Sequence, residues 1–282
     1  MATSLVWRQP AQALLRARTS HGCVLSAQCF ASTSTTSTTS SDDTTPALTP
    51  LQRARLSLQA AAGALADPSR ADLVAALGET TGDFALRAMA RRLNNTPHGR
   101  GILETQPLFD DAFYDACARA PPSTLGAAYH TFMTKRGFHP SERPAVRYVS
   151  NDDAKGFAGD LKYVMLRYRQ VHDIWHVLFG LNTTVFGELV LKAIEARQTG
   201  LPMCYMSAFV APAARLPRAQ RERFYAVYLP WAWRAGNTCV DLMAVDYNEA
   251  VEKPLEDVRR EWRISVAPAQ VAVTPSSPSS VS

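Results

Sequence analysis

Two histidines and two carboxylates stand in the stretch RYRQVHDIWHVLFGLNTTVFGE (167–188): His172, Asp173, His176 and Glu188. Their neighbours are largely apolar. Buried without partners, such groups cost kcal/mol each, so each needs a metal ion, another side chain or water. With 160–180 read as a helix, Leu161, Met165, Tyr168, His172, His176 and Phe179 form one stripe at about 100° per residue. Both histidines then face the core, and their i,i+4 spacing lets two imidazoles reach one ion. Asp173 sits at the edge of the same face. Glu188 follows His176 by twelve residues, about 18 Å along an unbroken helix, which is too far for a shared ligand sphere. The chain must therefore turn back. Two imidazoles and two carboxylates suit a divalent ion, zinc most readily, with iron or manganese also compatible. Core histidines with hydrogen-bonding side chains would satisfy burial equally well. The residue after the first histidine is Asp, where zincin proteases carry Glu; its shorter reach to a metal-bound water argues against peptidase chemistry.

The elements that must hold these residues are helical. GLNTT (180–184) supplies the break: Gly180 fits a helix C-cap, and Asn182 or Thr183 could cap the next helix. VFGELVLKAIEARQTG then runs antiparallel and returns Glu188 to the first helix. Upstream, TPLQRARLSLQAAAGALADP reads as a helix ending before Pro68. DPSRADLVAALGE reads as another, with Asp67 as N-cap, Pro68 at the first helical position and Gly78 as its end. A third helix, TGDFALRAMARRLNN, is closed by Asn95 and Pro97. PLFDDAFYDACARAPP and STLGAAYHTFMTKRGF follow, and 139–153 is the longest irregular link. An aromatic-rich helix near 218–236 and a last helical region, VDLMAVDYNEAVEKPLEDVRREWRI, complete the body. Period-2 strands, internal repeats and Gly-rich phosphate loops are missing from the pattern. The expectation is one all-α domain over 47–264, with the site on two antiparallel helices.

Composition bounds the function. The 282 residues carry a net charge of +5, of which Arg8, Arg16 and Arg18 supply three in a first 41 residues that contain no acid. The body is nearly balanced, so no basic stripe points to nucleic acid. An Arg- and Ser-rich, acid-free start (1–41, including ASTSTTSTTSS) has the composition of an organelle transit peptide, and the Pro/Ser-rich 265–282 should be a disordered tail. Of five cysteines, Cys23 and Cys29 lie in the acid-free start; Cys117, Cys204 and Cys239 are odd in number and lack CxxC spacing, which argues against a disulfide framework and a cysteine zinc site and fits a reducing compartment. No apolar run approaches the ~20 residues that span a bilayer, so any membrane association is peripheral. Phe224, Tyr225, Tyr228, Leu229, Trp231 and Trp233 suit either a membrane interface or prenyl channel, or a core helix kinked at Pro230.

HDIWH, eleven residues and Glu188 resemble the HDxxH-x11-E signature of the fourth coenzyme Q biosynthesis protein family. DPSRADLVAALGETTG (67–82), YVMLRYRQVHD (163–173), GELVLKAIEARQTGLPMC (187–204), YLPWAWRAG (228–236) and EDVRREWRI (256–264) resemble family blocks as well. The resemblance implies a peripheral protein on the matrix side of the mitochondrial inner membrane, in complex with other coenzyme Q enzymes. It implies metal ligands at His172, Asp173, His176 and Glu188. It also implies removal of the C1 carboxyl of a polyprenylated 4-hydroxybenzoate, by decarboxylation or oxidative decarboxylation. For that acid, Arg167 and Arg169, one turn before His172, are candidate carboxylate binders, although such arginines are commonly solvated or paired. VDYNEAVEKP (245–254) departs from an expected Tyr–Tyr–Glu pattern at Asp246 and Asn248. Two other functions fit the residues. One is a non-catalytic scaffold that binds prenyl lipid and holds a structural metal. The other is an HD-type phosphohydrolase drawing further ligands from His130, His139 and Asp241, which would lack a dense positive phosphate pocket and leave Glu188 unexplained.

Overall fold

The helix that carries both histidines, α7 (Leu161–Phe179), runs through the middle of the molecule: fifteen of its nineteen residues are buried, Trp175, Tyr168 and Phe179 among them. A helix covered nearly all round belongs to a core and not to a surface. The computed structural model describes residues 48–66, 70–140, 145–149 and 161–269. Preceding α7 are α1 (Pro50–Ala66), α2 (Ala71–Thr81), α3 (Asp83–Asn94), α4 (Pro97–Thr105), α5 (Asp111–Arg119) and α6 (Leu125–Thr134). After it come α8 (Val185–Thr199), α9 (Pro202–Tyr205), α10 (Ala211–Arg215), α11 (Arg218–Arg223), α12 (Leu229–Thr238) and α13 (Leu255–Glu261). The described residues contain no strand, only an isolated bridge between Thr124 and Pro254. The fold is a single all-α domain around one hydrophobic core.

Two sequence expectations need correction here. Gly78 does not end α2, which continues to Thr81. A Cβ at Gly78 would lie 2.7 Å from Met203 Sδ and 3.0 Å from Met165 Cε, so the glycine admits close packing where a helix end was expected. Pro97 does more than follow the close of α3. It sits in the first turn of α4, behind Thr96, whose hydroxyl accepts from Gly99 N. Proline suits that position because its missing N–H is unneeded there. The expected cap at Asp67 and Pro68 lies outside the described residues, as does the proposed transit segment. Residues 265–269, expected to belong to a disordered tail, are bound: Ala267 N donates to Phe179 O, and Tyr228 Oη donates to Pro268 O.

The turn that reverses the chain is ordered by its own polar groups. Gly180 adopts φ +68°, and Leu181 N reaches back to His176 O at 2.9 Å, a Schellman closure. Thr184 caps α8, with its hydroxyl accepting from Gly187 N. The cap was expected at Asn182 or Thr183; Asn182 instead holds Thr184 in place by accepting from its N–H and hydroxyl. The carbonyl ends of α7 are satisfied by Arg259, whose guanidinium donates to Val177 O and Leu178 O.

Two π turns, Met206–Val210 and Phe224–Tyr228, precede Pro212 and Pro230. A proline ring collides with the carbonyl four residues back, and widening the helix there relieves the collision. The aromatic segment divides accordingly. Phe224, Tyr228 and Trp231 enter the core, whereas Tyr225 and Trp233 face outward. Trp233 and Phe209 pack edge to face with ring centroids 5.9 Å apart, and Tyr205 and Phe209 stack. Together with the neighbouring Val210 they leave apolar surface exposed.

A Cβ added at Gly187 would lie 2.2 Å from Asn182 O, a backbone atom of the turn. Gly187→Ala should therefore destabilise the protein by about 2–3 kcal/mol, the scale of a rigid overpacking clash. Denaturant unfolding of the two proteins measures it.

Candidate metal centre

α7 and α8 present facing stripes. Tyr168, His172 and His176 follow one another at intervals of four on α7. Glu188, Lys192 and Glu195 follow at intervals of four and three on α8. Both spacings keep side chains on one helical face. His176 meets Glu188 near the turn, and His172 and Tyr168 meet Glu195 farther along, as antiparallel helices require.

At the turn end of this seam, His172 Nε2 lies 3.4 Å from Glu188 Oε2 and His176 Nε2 lies 3.2 Å from Glu188 Oε1. Ligand atoms of His172, His176 and Glu188 all fall within 4.8 Å of one another, a group that could hold one ion. Zinc ligands at about 2.0–2.1 Å in a tetrahedral array stand about 3.3 Å apart, which is the spacing of both contacts. His176 is fully buried, and among the described residues neither ring nitrogen has a partner in hydrogen-bond geometry, Nε2 meeting Glu188 only as an ion-pair contact. A buried polar atom without a partner is costly, and a cation at Nε2 would remove that cost there. The donor set and its spacing thus fit a divalent ion. Phe132 stacks on the His176 ring at 5.4 Å, and the Arg136 guanidinium lies 3.7 Å over Phe132.

The charges around this group are strongly coupled. Burial raises the Glu188 pKa, but the two imidazoles overcome it and hold the carboxyl well below its ordinary range. Burial lowers the His176 pKa and outweighs Glu188. For His172, burial and the Lys192 ammonium act downward, yet Glu195 and Glu188 together leave its pKa raised. Glu195 is held low, burial notwithstanding, chiefly by Lys192 and His172.

The remaining sequence candidates lie elsewhere. Asp173 is buried on the same turn, between the two histidines, but its carboxylate is not part of the close group. One residue of rotation, about 100°, separates it from His172. Arg167 is buried and bound into the fold: it donates to Met243 O, Val245 O and Tyr163 Oη, and its guanidinium lies over Tyr247. Arg169 pairs with buried Glu79 at 3.1 Å, and Glu79 also accepts from Arg147 N and Tyr148 N. Neither arginine was recognisable from sequence as a tertiary clasp. His130 and His139 flank Tyr114, and Asp241 is paired with Arg92. None of these three joins the close group, which removes the ligand set of an HD phosphohydrolase. Asp246 accepts from the backbone and side chain of Asn248 and so closes its own turn, while the intervening Tyr247 is buried and accepts from Trp175 Nε1. Sequence reading missed Glu195 and Lys192, although their spacing from Glu188 was the available signal. It missed Arg136 as well, for which the sequence carried no signal.

Residues 43–268 match the family model of "Coenzyme Q (ubiquinone) biosynthesis protein Coq4". The chain belongs to this family. A mitochondrial ubiquinone biosynthesis protein COQ4 homolog of Aedes aegypti is 40% identical over 221 residues, covering 78% of each chain. The mitochondrial ubiquinone biosynthesis protein COQ4 of Arthroderma otae is 37% identical over 224 residues, covering 78% of this chain and 80% of its own. A crystal structure of a protein from Nostoc punctiforme PCC 73102 superposes with a TM-score of 0.58 at 21% identity, over 74% of this chain and 97% of that one. At that identity the likeness establishes the shared fold. The family's work is ubiquinone biosynthesis.

Glu188 and Glu195 take up protons less readily in the folded chain than in the unfolded one. Their stabilisation is therefore complete above the ordinary carboxyl pKa of 4.5 and is lost as pH falls below it. Metal-free protein should lose unfolding free energy steadily as pH is lowered from about 5 toward 3, and Glu188→Gln should flatten that slope. Urea unfolding across this range, with both proteins, is the measurement.

Proposed function

We propose that this chain removes the C1 carboxyl of a polyprenylated 4-hydroxybenzoate in ubiquinone biosynthesis, as a carbon–carbon lyase dependent on one divalent ion, zinc foremost. The observation that supports this reading is the convergence of His172, His176 and Glu188 from two antiparallel helices, with the His176 nitrogens buried and without hydrogen-bond partners among the described residues. Asp173, on the same turn, is proposed as the fourth ligand by resemblance to the family motif. When bound, the ion supplies Lewis acidity toward a carboxylate or phenolate oxygen. In the reaction, C1 takes up a proton while it still carries the carboxyl, and the para-hydroxyl favours this step because the product is a stabilised dienone. The bond from C1 to the carboxyl carbon then breaks, carbon dioxide leaves, and the electron pair of that bond restores the aromatic ring. Phe132 and the fully buried His176 keep one flank of the cluster dry, which strengthens every charge interaction there.

The working location proposed is the matrix face of the mitochondrial inner membrane, among other coenzyme Q enzymes, with residues 1–41 acting as transit peptide. None of the described helices is long and apolar enough to cross a membrane. The exposed patch of Tyr205, Phe209, Val210 and Trp233 has the aromatic chemistry of a surface that rests at a lipid interface.

His176→Ala should abolish zinc binding and carbon dioxide release while leaving the helical fold intact. Elemental analysis, a decarboxylation assay and circular dichroism report the three properties. Zinc loss with full decarboxylation retained would refute the catalytic reading and leave a structural metal.

The membrane proposal is tested separately. Alkaline carbonate should release the protein from organelle membranes, and Phe209→Asp with Trp233→Asp should cut sedimentation with anionic liposomes at least several-fold. Undiminished sedimentation of the folded double variant would rule out this face.

A further inference from the structure

Glu195 lies outside the proposed ligand set, yet it is the most heavily engaged carboxylate near it. It is fully buried on α8. Its Oε2 accepts from Tyr168 Oη at 2.7 Å, from Lys192 Nζ at 2.6 Å and from Cys204 Sγ at 3.5 Å. Its Oε1 is left to His172 Nδ1, at 2.5 Å. A carboxylate with one oxygen fixed by three donors cannot swing, so the other oxygen is a fixed point in the core.

That fixed point determines the chemistry of His172. A bare Nδ1 would set two lone pairs against each other at 2.5 Å, so the proton belongs on Nδ1, where it is donated to Glu195. The lone pair is thereby left on Nε2, the atom that faces Glu188. His176 has no such partner among the described residues: its Nδ1 has no hydrogen bond there, and its ring lies against Phe132. The two histidines of the pair are therefore held by different means. Lys192 completes the arrangement by balancing the charge of Glu195, so that this carboxylate orients an imidazole without adding net negative charge to the cluster.

We propose that Glu195 is a positioning residue for the metal centre: it locks His172 in the Nδ1–H tautomer and aims Nε2 at the ion, and Lys192 and Tyr168 hold it in place. The assignment rests on the metal reading above and concerns a residue outside its ligand set.

The test uses purified full-length protein, zinc and a competing chromophoric chelator. The pair is removed together, as Lys192→Met with Glu195→Leu, because apolar replacement of both members of a buried ion pair is commonly tolerated by a fold. The folded double variant should bind zinc about 10–100-fold more weakly, the usual cost of losing such a carboxylate behind a histidine ligand. Zinc affinity equal to wild type in that variant would overturn the assignment while leaving the metal centre standing. A wild-type protein that binds no zinc would overturn the metal reading itself. Long-range proton–nitrogen spectra of zinc-loaded wild type give an answer that depends on no variant. The assignment requires a slowly exchanging proton on His172 Nδ1, and a proton on Nε2 would overturn it.

Discussion

The structure turns on one carboxylate facing two imidazoles. Glu188 reaches His172 and His176 only because α8 doubles back along α7, and the turn between them is held shut by Thr184, Asn182 and the close approach that Gly187 permits. Three polar side chains at this depth would be a liability in an ordinary core. Here their unmet interactions point inward, at one another and at a common point. The rest of the molecule keeps that hairpin from opening.

Several long-range clasps serve this end. Arg259 caps the carbonyls at the end of α7, and Ala267 N takes the carbonyl of Phe179. Arg167 ties the middle of α7 to the carbonyls of Met243 and Val245, while Tyr247 links the same segment to Trp175. Glu79 joins α2, α7 and the backbone at Arg147 and Tyr148. Most of these clasps satisfy backbone groups within the fold, and the Trp175–Tyr247 bond satisfies a buried side-chain donor, so losing one would cost more than the bond itself. The charged residues of α7 thus divide between two tasks: the arginines anchor the helix, and the histidines face the site.

Glu195 and Lys192 show how a second layer is built from the same short helix. Glu188, Lys192 and Glu195 repeat on one face of α8, so a single helix supplies a residue of the close group, a counter-charge and the partner of His172. Tyr168 performs the matching role from α7. Because all of these side chains stand on helices and none on a loop, their separations are fixed by helical rise.

The sequence by itself determined the helical class, the reversal after Gly180 and the pairing of His172 with His176. Each follows from local chemistry: hydrophobic period, a glycine able to take positive φ, and i,i+4 spacing. It misplaced the end of α2 and overlooked α4, because a glycine packed against Met203 and a proline inside a first turn look the same in sequence as breakers. Which distant groups Arg167 and Arg169 clasp was decided by the tertiary structure alone: Met243, Val245 and Glu79 lie 76 to 90 residues away in sequence, and no local pattern encodes such a distance. The same holds for Arg136, brought near Glu188 by the packing of α6. Local pattern sets which faces a helix can offer, but which groups meet across two faces depends on how the helices are docked.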